Sequence, residues 1–303
     1  MEKQKNEEPK KSENPEELEE DKFISSYIKA KTVLKEARFD PLIIVKTLDR
    51  FLDWIRGVLP PEIFGKAANW CRRYGQMGLL ASAALSFLFW TVAAMKLDFI
   101  SLPYGLLYGI ACAAFFIILQ YTASKFLNAG ESLIKSSPSR LASASFLDCT
   151  ALLMEIAGIV LFIMLVRGSF FVALGACAIC ECIFFVALHP SLANIKISKK
   201  AAAGEEAIGI LSFFVKSIVR IVPLAFGIGS IFGLIALAIA TAKLPFKAEA
   251  YLGGILALKL IIFCACLPFA SYIIFALYHL TIDVLRAILV LPGKLDDLKE
   301  EKK

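Results

Sequence analysis

Histidine is almost missing from this chain, with two in 303 residues. The sequence contains no H-E-x-x-H, Walker or G-x-S-x-G pattern, so familiar zinc-hydrolase, NTPase and serine-hydrolase chemistry has no support. Basic runs interleaved with aromatics are also missing, which argues against nucleic acid as a partner. No apolar stretch follows a basic start, so no secretory leader is expected; the first membrane helix would direct insertion. The chain reads as non-enzymatic, and neither a cofactor nor a metal is expected.

Apolar residues, in contrast, are abundant. They make up 58% of the chain, and the mean hydropathy is +0.69. A soluble fold of this size cannot hide so much apolar side chain, so the lipid bilayer is the expected solvent. A span needs roughly 20 mainly apolar residues to cross about 30 Å of hydrocarbon. Six segments qualify: Gly78–Met95, Leu102–Tyr121, Phe146–Val166, Phe170–Leu188, Ile221–Thr241 and Leu252–Leu280. Only Arg167, Gly168 and Ser169 separate the third from the fourth, which makes that pair a tight hairpin. The predicted fold is an all-α integral membrane protein of six transmembrane helices in three hairpins, preceded by an amphipathic interfacial helix.

The domain reading follows composition. Residues 1–22 hold nine acids, five lysines and almost nothing apolar, a composition that does not offset ordering entropy and predicts a disordered charged tail. Residues 23–75 form a cytoplasmic or interfacial helical segment, 76–282 the six-helix bundle, and 283–303 a cytoplasmic C-terminal tail. Within 23–75, Asp40 and Pro41 are a helix start and Pro60–Pro61 a stop. Between them Ile44, Leu48, Phe51, Leu52, Ile55 and Leu59 form an apolar stripe opposite Lys46, Asp49, Arg50, Asp53 and Arg56. Such a helix lies in the membrane interface or docks on protein. Residues 23–75 are therefore the candidate surface for a cytoplasmic partner, and oligomerisation is compatible with the pattern.

The placement of basic residues sets orientation. From Lys66 onward, fifteen lysines and arginines of the flanks and loops fall on one side of the spans and four on the other: Lys96, Arg167, Lys243 and Lys247. The positive-inside rule then puts both termini in the cytoplasm of a cytoplasmic (inner) membrane.

Eight cysteines are present, seven of them within expected spans. The stretch Ala176–Pro190, ACAICECIFFVALHP, is the densest. Cys177 and Cys180 share a helix face while Cys182 points away, and Cys180 and Cys264 can lie at similar depth. A metal or redox site would need converging thiolates, whereas buried cysteine ordinarily packs as a small apolar side chain. Packing is the expected role, and a membrane redox protein is the weaker alternative. His189 and His279 differ in depth by about 9 Å at 1.5 Å per residue, awkward for two ligands of one haem; each is better placed as an interfacial side chain or a partner of local carbonyls. The pairs Gly105/Gly109 and Gly229/Gly233 make small-xxx-small faces for close helix packing. C-x-C-x-x-F occurs at Cys180–Phe185 and Cys264–Phe269, and Ala111, Ala113 and Phe116 repeat the spacing, raising the idea of related hairpins.

The candidate ion- or solute-binding residues are Glu155, Glu181 and Lys259, because ionisable groups deep in a span are costly to keep. Glu155 precedes the Arg167–Gly168 turn by about as many residues as Glu181 follows it. Both then lie about 18–20 Å below the outer end, where two neighbouring carboxylates do not readily ionise together. Lys259, near the outer end of the sixth span, is positioned to reach toward them. Asp148 and Arg220 sit near inner ends and need no special account. These residues point to moving or sensing a small solute or ion. The alternative is a membrane scaffold or accessory subunit.

Overall fold

The computed structural model describes residues 43–98, 100–198 and 203–300, with side chains described as far as Val284 and not at Ala203. The charged tail, the weakly helical stretch after it and the expected helix start at Asp40–Pro41 lie outside the described residues. The chain divides after Trp54 into two units.

Helix α1 spans Ile43–Val58, within the bounds its apolar stripe predicts. It ends where a proline pair removes two backbone donors. Pro60, extended at φ −69° and ψ 149°, occupies the position before the next helix, and Pro61 opens it. In the first unit, Ile43, Ile44, Leu48, Phe51 and Trp54 are all exposed, and the Phe51 and Trp54 rings stack 6.2 Å apart.

The second unit contains α2 (Pro61–Lys96), α3 (Leu102–Ser136), α4 (Ser145–Leu165), α5 (Phe170–Leu188), α6 (Ala203–Lys243) and α7 (Ala250–Glu300). These are six helices long and apolar enough to cross a membrane, the all-α membrane fold predicted. Sequence neighbours pair as α2–α3, α4–α5 and α6–α7. The first and third hairpins then pack together, α2 on α6 and α3 on α7, into a four-helix core; α4–α5 flanks it and meets α6 through α5.

Missing side chains hold the core closed. A Cβ on Gly105 would collide with Ala94, and one on Gly109 would lie 3.0 Å from the Phe87 ring. On the other hairpin, a Cβ on Gly229 would strike Cys264 Sγ, and one on Gly233 would strike Ile261. Both glycine pairs thus do what their spacing predicts: they bring two backbones within close-packing distance. Phe89, Phe116, Phe226 and Ile261, all at 0% exposure, fill the centre.

Hydropathy underestimates the helices. α2 begins well before Gly78, α3 runs well past Tyr121, and α6 starts well before Ile221. Hydropathy registers only the lipid-facing part, while backbone hydrogen bonding carries a helix onward into polar surroundings. α2 accordingly crosses the 75/76 boundary unbroken, and α7 continues through the segment read as a C-terminal tail.

The sequence also gave no sign of a small parallel sheet. β1 (Ser139–Leu141) follows α3 and β2 (Ile195–Ile197) precedes α6, in register Ser139 to Ile195 and Leu141 to Ile197. The α4–α5 hairpin is therefore an excursion between two paired strands, which fix its roots. At this strand-bearing end, Asn194 adopts the left-handed conformation, φ 51°. Its Nδ2 donates to the carbonyls of Ile134 (3.0 Å) and Lys135 (2.9 Å), capping α3. Each strand has only three residues, too little alternation to read as a strand.

Candidate functional site

The tight turn joining α4 to α5 forms as expected: the amides of Gly168 and Ser169 both donate to the Leu165 carbonyl at 3.0 Å. From that turn the two helices run back antiparallel, and equal spacing brings Glu155 and Glu181 together. Glu181 Oε1 reaches the α4 backbone at Gly158, three residues along from Glu155. Gly158, one turn beyond Glu155, permits the approach: a Cβ there would sit 3.2 Å from Cys180 Cβ and 3.4 Å from Glu181 Oε1. Both glutamates are half-buried. Among the described residues neither forms an ion pair.

Lys259 is not part of this arrangement. It is exposed on α7, which packs on α6 and α3, while the acidic hairpin reaches the core through α5 and α6. The structure unites two of the three predicted residues and leaves the cation elsewhere.

The cysteines are distributed as packing groups. Cys180 rests against Gly158, Cys264 against Gly229, and the Cys71 backbone against Gly227. Among the described residues no three His, Cys, Asp or Glu side chains gather as metal ligands would. The last residue of the repeated C-x-C-x-x-F spacing is fully buried at Phe116, half-buried at Phe185 and exposed at Phe269, so the motif does not mark one equivalent packing position.

The histidines serve local contacts. His189 follows α5 as its C-cap residue, its ring 5.0 Å from Phe185. Burial holds its imidazole below the ordinary pKa; the nearby Leu59 backbone and Glu62 oppose that, and Arg56 reinforces it. His279 packs on the Phe275 ring at 4.5 Å.

Two polar groupings at the strand-bearing end were missed in the sequence. Lys216, fully buried, donates to the Ser137 carbonyl and to Ser139 Oγ at 2.8 Å, tying α6 to the link between α3 and β1. Beside it Arg220, set aside as unremarkable in the sequence, contributes to a charged cavity with Arg72 and Glu131. A periodic signal existed: Ser212, Phe213, Lys216, Ser217 and Arg220 recur at spacings of three and four, on one helical stripe. Asp148, likewise set aside, pairs with Arg56 across α4 and the end of α1.

No protein-family model, no curated protein and no solved structure matches this chain.

Proposed function

We propose that this multi-pass membrane protein moves or senses a small solute or ion, and that the Glu155–Glu181 pair takes up and releases the proton or cation involved. One observation carries the reading: two glutamates come side by side partway along two apolar helices without a described counter-ion. Two adjacent carboxylates in an apolar span repel each other, and sharing one proton or binding one cation relieves that repulsion. Such a pair can exchange one proton, or a proton for a cation, without exposing full double charge to lipid. Lys259 has no part in this exchange. Orientation follows the basic residues: both termini face the cytoplasm and the membrane is the cytoplasmic (inner) one. Purified protein in liposomes, assayed for proton release or solute flux with and without Glu181→Gln, tests the proposal.

A second reading is favoured by a different observation. On α1 the side chains of Ile43, Ile44, Leu48, Phe51 and Trp54 are exposed while Leu52 is buried, and the exposed ones befit a helix lying in the interface or meeting a cytoplasmic partner. In a scaffold the carboxyl pair would only hold α4 to α5, and Glu181→Leu would be tolerated as well as Glu181→Gln.

A further inference from the structure

The four-helix core contains a cavity of about 110 Å³ toward its strand-bearing end, lined by residues of α2, α3, α6 and α7. Its polar lining comes from Asn69, Arg72, Glu131, Arg220 and Ser271. That volume has room for roughly three or four waters, enough for one tetrahedral oxyanion.

The charges around it do not balance. Glu131 accepts a hydrogen bond from Lys135 Nζ at 2.8 Å and lies 3.7 Å from Arg72 Nη1. Arg72 also donates to Asn128. Arg220 donates its Nε to the Leu192 carbonyl at 2.9 Å, while its Nη1 and Nη2 bond to no described residue. Three cations thus share one carboxylate, and a guanidinium fork is left over. A cation would be repelled, and a neutral solute would leave that fork unpaired. A phosphate group matches both the charge and the planar donor geometry. The depth agrees: Arg72 precedes the apolar stretch at Gly78 by about 9 Å along the helix, and Arg220 directly precedes the stretch beginning at Ile221.

We propose that this cavity binds a phosphate group, supplied by a phospholipid head group or by free phosphate or a phosphate ester. The site is separate from the carboxyl pair and does not depend on the function assigned there.

The test uses the full chain purified in a neutral detergent, with thermal unfolding followed at matched ionic strength. One arm adds inorganic phosphate in place of chloride, and the other adds dihexanoyl phosphatidic acid. Wild type should be stabilised in at least one arm, which identifies the source. Arg220→Gln should weaken the apparent affinity roughly tenfold or more, as expected when a charge-assisted contact is lost. Arg220→Lys keeps the charge without the fork and should fall between the two; it decides the matter if the glutamine variant does not fold. Lys125→Gln, outside the cavity, should behave as wild type. No stabilisation in either arm, or equal stabilisation of wild type and Arg220→Lys together with any folded Arg220→Gln, would overturn the proposal.

Discussion

Lys216 Nζ donates a 2.8 Å hydrogen bond to Ser139 Oγ, so a fully buried cation on α6 fastens the start of β1. The same ammonium also satisfies the Ser137 carbonyl just past α3. Lys216→Met keeps most of the side-chain shape and removes both donors. Leaving a buried carbonyl unpaired costs about 1–3 kcal/mol. The variant should unfold at lower temperature in detergent and be cleaved faster by protease between Ser137 and Ser145. An unchanged melt and cleavage rate would mean the ammonium fastens nothing.

Cys264 and Gly229 should be energetically coupled. A Cβ at Gly229 meets Cys264 Sγ, so Gly229→Ala alone overpacks the α6–α7 contact, at a cost of about 1–3 kcal/mol. Adding Cys264→Ala vacates the sulfur position and should recover much of that loss, a non-additivity typical of touching residues. Gly175→Ala, whose Cβ meets nothing within 4 Å, serves as the neutral comparison. Strictly additive effects in the double variant would argue against a packing role for this cysteine.

Stability should depend on pH through His189. Its folded-state pKa is lowered, first by burial, so the unfolded chain binds the proton more readily. The contribution from the neutral ring is complete above the unfolded value of about 6.5 and is lost as pH falls through it toward the lower folded value. Melting temperature should drop between pH 7 and pH 5 in wild type, and the drop should be smaller in His189→Gln. Parallel pH curves would show that other groups carry the acid sensitivity.

A peptide covering residues 41–59 should bind lipid vesicles and become helical there. Its exposed Ile43, Ile44, Leu48, Phe51 and Trp54 supply the burial, while its mixed charges predict only modest dependence on anionic lipid. Failure to bind would favour a protein partner for α1.

What the sequence reveals and what it hides divide along physical lines. Helix pairing across Arg167–Ser169, and the close approaches at Gly105 and Gly229, were legible because periodicity and small side chains act locally. The meeting of Glu155 and Glu181 followed from counting residues back from one turn. Lys259 was expected to reach toward the pair from nearer the outer end, whereas it is exposed on α7; which helices pack side by side depends on long-range complementarity that no local pattern encodes. Lys216 was counted only as a loop charge and Arg220 set aside at an inner helix end, because hydropathy assigns a helix to the membrane and its charged extension to water. Their burial depends on β1, β2 and the turn at Asn194, which form only when distant segments meet.

The most direct measurement is proton release or coupled flux in liposomes containing wild type or Glu181→Gln, each shown to be folded. The amide preserves shape and hydrogen bonding but cannot titrate, so the account predicts a pH-dependent signal in wild type and its loss in the variant. Equal signals from the two folded proteins would contradict a proton- or cation-handling role for the pair, and would leave it as a contact that holds α4 against α5.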